Sequence, residues 1–358
     1  MKKNIFAAII SFTSLSAGAV FGVGPDSSGS GTQDYSFILD SGNSFSINRS
    51  TTSAKASGTF GGAAISNGYS PVSNTQIEAK WDYNGTMVGI STGSPYLIDL
   101  TYIDNVVIGS GAKVTSNETA IVASRNLGNG MKVFGGLRLN QFKASIYQPT
   151  LNYTYDLDTG TSTGFALGAA YEVPQIMLRA SIQYNSEIKH TSAKETETLG
   201  STVLPAFTPD DMVAPSSMII KLRSALSPRM LAFANWRSSQ YSKFKVTGEN
   251  GGSLYDPMSG TDYTLGVAFK VNDQMNLVLG TAKGQSTDDG SATVSALAPF
   301  KGTSTNILGA SYKLNDSVEL NASYSLTTFG DAVANIATGA PFENNKGSRM
   351  SIGTKINF

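Results

Sequence analysis

His190 is the single histidine in a chain of 358 residues. A Ser-His-Asp hydrolase would need an activated serine beside it, and no such constellation can be recognised around His190. Standing at the mouth of a long loop, His190 reads as a polar rim residue. The chain has no cysteine and no histidine pair, so no metal-ligand spacing can be built. Asp210-Asp211 is a paired carboxylate that fits a solvated loop tip or helix cap better than a Ca²⁺ site. The residues that could do chemistry therefore point away from an enzyme, a metal or a cofactor.

Two other features bear on function. The loop from His190 to Pro215 carries Leu204, Phe207 and Met212, apolar groups placed where loops normally face water. Such a patch often marks a binding site, and it equally packs a loop onto a rim. Leu151 and Tyr153, in the preceding long loop, can join the same cluster. Gly93-Ser94-Pro95 interrupts an otherwise regular strand from Thr86 to Tyr102. Proline cannot donate to a ladder and is kept to edges and bulges. Either the strand ends early, or a kink opens the sheet sideways.

The elements that must position these residues are strands. Met350, Ile352, Thr354, Ile356 and Phe358 share one face, and Ser351, Gly353, Lys355 and Asn357 the other. This period of two makes a two-sided strand, and it ends on an aromatic carboxyl terminus. Asn84-Gly85, Leu127-Gly128-Asn129-Gly130, Glu172–Gln175, Ser227-Pro228, Asn272-Asp273 and Asn315-Asp316 each join two alternating runs. Six hairpins, with a first strand from Ser44 and the last one, predict fourteen strands with short turns on one side and long loops on the other. Strand after strand, charges oppose a face of Leu, Ile, Val and Tyr; placing the charges in a lumen and the aliphatics in lipid satisfies all of them. The reading is all-β: a transmembrane antiparallel β-barrel over residues 43–358.

At the front, Lys2 and Lys3 precede an apolar run and Ala17-Gly18-Ala19, which reads as a secretory signal peptide over residues 1–19. Residues 20–42 are Gly/Ser-rich and form a plug or a flexible lead-in. A formal net charge of zero, with 15% charged residues, argues against nucleic-acid binding.

Several stretches resemble the long-chain fatty acid transporter family of outer-membrane proteins, which includes the aromatic-hydrocarbon porins. They are Thr163–Glu172, Leu178-Arg179-Ala180, Tyr184–His190, Tyr241-Ser242-Lys243-Phe244 and Tyr263–Val267 with Asn272-Asp273. The resemblance is best from about Gly160 to Phe358. It implies a fourteen-strand barrel plugged by an N-terminal hatch, here residues 20–42, although the Asn-Pro-Ala motif many members carry there is absent. It also implies lipophilic cargo caught by extracellular loops and released through a kinked third strand, where Gly93, Ser94 and Pro95 fall. The expected partners are then a long-chain fatty acid or other hydrophobic small molecule, outer-membrane lipid, and the barrel assembly machinery, for which Phe358 is the terminal signal. Arg179, Lys189, Arg237 and Lys243, on faces expected to point inward, could meet a carboxylate or simply balance Glu187 within a wet lumen. The rival functions are a diffusion porin for hydrophilic solutes and a structural or adhesive barrel.

Overall fold

The computed structural model describes residues 33–102, 110–190, 194–204, 212–241, 244, 246–247, 253–255, 260–286, 299–334 and 339–358. The expected signal peptide and residues 20–32 lie outside them.

Asn84 and Gly85 show how the wall is built. Both take a positive φ (53° and 80°), the conformation a two-residue hairpin requires. They place Tyr83 opposite Thr86. The barrel strands are β1 (Ser44–Ala54), β2 (Val72–Tyr83) and β3, which comes in two pieces (Thr86–Gly93 and Leu97–Thr101). Next come β4 (Gly111–Gly128), β5 (Met131–Gln148), β6 (Tyr153–Val173) and β7 (Leu178–Asn185). The rest are β8 (Ser217–Ser227), β9 (Met230–Ser239), β10 (Gly260–Lys270), β11 (Met275–Ser286), β12 (Thr303–Lys313), β13 (Val318–Phe329) and β14 (Lys346–Asn357).

Among the described residues these fourteen strands close into one antiparallel barrel. β14 completes it by pairing with β1 from Ser44↔Asn357 to Ala54↔Gly347. Phe358 donates its N–H to the Asn43 carbonyl at 3.2 Å. The expected strand number, hairpins and closing strand hold. β4 runs from Gly111, and β9 stops at Ser239. At the long-loop end, Gly58–Phe60 and Ala63–Ile65 form a small sheet with Ala332–Ala334 and Ala340–Phe342.

The two faces of the wall differ as the alternation requires. Leu137 is 58% exposed on the outside, while the next residue, Arg138, is fully buried inside. Ile121, Leu167, Leu265, Leu279 and Leu308 also project outward, whereas Lys80, Glu118, Gln183, Arg223 and Glu319 project inward. In water the outer face would leave apolar surface worth about 25 cal/mol per Å² uncovered; against lipid chains that cost vanishes, as in transmembrane barrels.

Candidate functional site

The lumen is occupied. A single turn of 3₁₀-helix, Ser36–Leu39, lies inside the barrel and packs Tyr35, Phe37, Ile38 and Leu39 against Met87, Val122, Phe134 and Ala166. Gly89 makes this approach possible, since a Cβ there would sit 2.8 Å from Ile38 Cδ1 and 3.0 Å from Phe37 Cε2. The short segment cannot satisfy its own carbonyls, so the wall does so. Ser124 donates to the Ile38 carbonyl (2.9 Å) and Lys132 to that of Leu39 (2.7 Å). Lys80 donates to the Asp40 carbonyl. Two carboxylates of the segment are paired as well, Asp40 with Arg179 at 2.7 Å and Asp34 with Lys221 at 2.6 Å.

Above this segment stands a second network. Arg138 and Glu118 form a bidentate pair, Nη2 to Oε2 at 2.9 Å and Nε to Oε1 at 3.2 Å, the strongest geometry for such a pair. Arg138 Nη1 also donates to the Ser186 carbonyl at 2.8 Å. Asn140 (3.0 Å), Tyr35 (2.5 Å) and Gln33 (3.2 Å) all donate to Glu118. Gln33 is the junction: its amide nitrogen also reaches Tyr96 Oη at 3.1 Å, and its amide oxygen accepts from Arg237 at 3.0 Å.

Tyr96 belongs to the interruption of β3. Thr86–Gly93 pairs with both β2 and β4, but Leu97–Thr101 pairs with β4 alone. Val72–Gln76 of β2 therefore bond to β1 on one side and face no β3 ladder on the other. Pro95, with no N–H to give, lies in the break. Asn74 Oδ1 accepts the Ser94 N–H at 3.0 Å across it. The two sides meet again further along, where Tyr69 bridges Leu100.

Toward the long loops the inner face turns apolar. Tyr96, Phe142, Ile188, Met212, Tyr241 and Phe244 are buried together, with ring centroids 5.0 Å apart for Tyr96–Phe142 and 5.4 Å for Phe142–Phe244. His190 stands edge-on to Phe142 at 5.3 Å and 83°. It is 1% exposed, and neither ring nitrogen has a hydrogen-bond partner among the described residues. Burial pulls its pKa down to about 4, so the ring is neutral at pH 7.

The sequence-derived site residues distribute unevenly. Gly93, Ser94 and Pro95 lie at the interruption. Met212 joins the aromatic chamber and Tyr153 packs against its edge, donating to Glu197 at 2.8 Å. Leu204 is half-buried; Leu151, 60% exposed, and Tyr153 sit at the tight β5–β6 turn rather than in a long loop, because the two strands stay paired out to Gln148 and Tyr153. Arg179 is held by Asp40 and by Glu172 (2.6 Å), and Arg237 by Gln33. Lys189 departs from the expected inward face. The run breaks at Ser186-Glu187 and resumes with Ile188 and His190 buried and Lys189 exposed. Phe207, Lys243 and Asp210-Asp211 lie outside the described residues. Gln33, Tyr96, Glu118 and Arg138 did not stand out in the sequence, because each is an ordinary member of an alternating or polar run.

A closed fourteen-strand wall with an apolar exterior and a filled lumen defines a transmembrane β-barrel of the outer-membrane type. Solved structures share this fold. A FadL homologue of Pseudomonas aeruginosa superposes with a TM-score of 0.68 over 96% of each chain at 13% identity. The Pseudomonas putida toluene transporter TodX gives 0.65 over 96% of each chain at 12% identity. The Ralstonia pickettii toluene transporter TbuX gives 0.63 over 96% of this chain and 97% of its own at 13% identity. No protein-family model and no curated protein matches the sequence.

Proposed function

We propose that this barrel carries hydrophobic small molecules, long-chain fatty acids or arenes, from the outside into the membrane. Cargo is gathered by the long loops, which in barrels of this type face the exterior, with Leu151, Tyr153, Leu204, Phe207 and Met212 as the capture surface. It passes the aromatic chamber and leaves sideways at Gly93-Ser94-Pro95. Residues 20–42 act as the hatch, and Phe358 presents the closing strand to the barrel assembly machinery. The toluene transporters that share the fold support this class of cargo.

The observation that carries the reading is the break in the β2–β3 ladder. A closed barrel has every reason to pair all its strands, because unpaired backbone groups against hydrocarbon are costly. Here the break coincides with Tyr96, which touches the chamber through Phe142 and the N-terminal segment through Gln33. Moving Gln33 would break its hydrogen bonds to both Tyr96 and Arg237. Transfer of an alkyl chain from water supplies about 0.8 kcal/mol per CH₂, so an apolar path with an exit into lipid needs no other drive.

The test is uptake of a labelled long-chain fatty acid and of labelled toluene by cells in which this chain is the only candidate carrier. Wild type is expected to take up at least one of them, and a Ser94→Thr/Pro95→Val variant that folds is expected to lose it. Equal uptake by both would make the interruption merely structural. Steady ion conductance with free passage of a small sugar would identify a diffusion porin instead.

A further inference from the structure

The outer wall carries a second feature that the transport reading does not use. Strands β11 to β14 and β1 surround a hollow of about 550 Å³ on the lipid-facing side. Its floor is low because two small residues meet there: Ala310 stands opposite Ala322, which stands opposite Ile352. Met275, Tyr312 and Leu320 wall it toward the short turns, and Ile47 flanks it. Elsewhere this face is filled by large side chains such as Leu308 and Tyr324.

At the other end of the hollow, toward the long loops, stands Arg49. It pairs across β1 with Ile352 on one side and Thr75 on the other, and it projects outward and is exposed. No carboxylate and no hydrogen-bond acceptor among the described residues engages it. An unpaired cation on the lipid face of a barrel is disfavoured by its depth in the membrane, and a guanidinium matches a phosphate with two parallel hydrogen bonds.

We infer that this hollow is a binding site for a phosphorylated lipid of the outer leaflet, with its phosphate on Arg49 and one acyl chain laid over Ala310 and Ala322 toward Met275. The direction follows from the placement of the two ends. A lipid whose head lies on the long-loop side sends its chains toward the short turns, the course the hollow takes from Arg49. A lipid of the opposite leaflet would bring its head to Met275 and leave Arg49 among its chain ends. The site is independent of whatever the lumen carries.

The experiment uses the full chain, purified in detergent, delipidated and offered either diphosphorylated lipid A or phosphatidylglycerol, with retained lipid counted by native mass spectrometry. Wild type is expected to retain one lipid A. Arg49→Gln, which removes the phosphate partner, and Ala322→Trp, which fills the floor, should each weaken retention about tenfold or more. Arg49→Lys, which keeps the charge but not the two parallel hydrogen bonds, should recover part of it. Heat-modifiable gel mobility checks that each variant is a folded barrel. Equal retention in wild type, R49Q and A322W would overturn the site. Retention of phosphatidylglycerol as tight as that of lipid A would overturn the leaflet, and a dimer dissolved by A322W would make the hollow a contact between copies of this chain.

Discussion

The inner face of β5 passes through two different environments. Midway along it Arg138 and Asn140 point into a network with Glu118, Tyr35 and Gln33. One step further, Phe142, Ala144 and Ile146 point into an aromatic chamber that also holds His190. The first region behaves like the interior of a soluble protein, with charges buried only because they are paired. The second resembles a binding pocket, apolar around a histidine whose ring nitrogens have no partner among the described residues. On the transport reading proposed above, hydrophobic cargo would find the chamber compatible and the network closed, and Tyr96 and Gln33 stand at the boundary between them.

The largest effect should come from breaking the network. Removing one partner of a buried ion pair typically costs about 3–5 kcal/mol, because the other charge is left behind. Arg138→Ala is therefore expected to lower the unfolding free energy by about that much, read by urea titration in lipid. An Arg138→Met/Glu118→Leu double variant should recover most of the loss. If the single variant is as stable as wild type, the pair does not hold the lumen together.

Next in size is the contrast between inside and outside. Leu279 is 58% exposed on the outer wall, flanked by Val267 and Leu308. Leu279→Arg places a charge in lipid and should cost about 2–4 kcal/mol if the site is near the midplane. Arg223, which points inward near Asp40 (3.7 Å), is tolerated because of its surroundings. A negligible cost for Leu279→Arg would mean that this face meets water.

A smaller effect is expected where the segment meets the wall. A valine at Gly89 would collide with Ile38 and Phe37, and overpacking of this kind costs about 1–3 kcal/mol. Gly89→Val should loosen Tyr35–Leu39 and raise ion conductance above that of wild type. Unchanged conductance with unchanged stability would show that the segment does not seal the lumen.

Much of the wall was legible in the sequence because a barrel strand is exposed to two solvents at once, and alternation records both. Asn84-Gly85 and the other hairpins set the register, and the alternation of the final strand matches the one that closes the barrel against β1. The site was less legible. Pro95 marked the interruption, since its chemistry is local. Glu118 and Arg138 are separated along the chain and become a pair only when β4 and β5 align, so nothing nearby in sequence announces them. Unbroken alternation places Lys189 inward, but the strand breaks at Ser186-Glu187 and the parity of the faces reverses there. Phe142 and Tyr96 looked like ordinary strand residues, because an aromatic side chain does not itself indicate whether it faces lipid or lumen.

His190 gives the subtlest prediction and bears most directly on the chamber. It lies beyond the long-loop end of β7, outside the apolar outer band, and burial among aromatics lowers its pKa from 6.5 to about 4, an effect that the Glu118 carboxylate partly opposes. Between these two values the unfolded chain binds a proton that the folded barrel does not. Stability from this group is therefore present above pH 6.5 and declines as pH falls toward 4. Wild type should lose stability across that window more steeply than His190→Leu, with the two curves running parallel above pH 7. Parallel curves throughout would mean that the imidazole is solvated. A ligand carboxylate that accepts a hydrogen bond from the imidazolium would raise the folded pKa, and it should flatten the wild-type curve and leave the variant's unchanged, because among the described residues neither ring nitrogen of His190 has a partner.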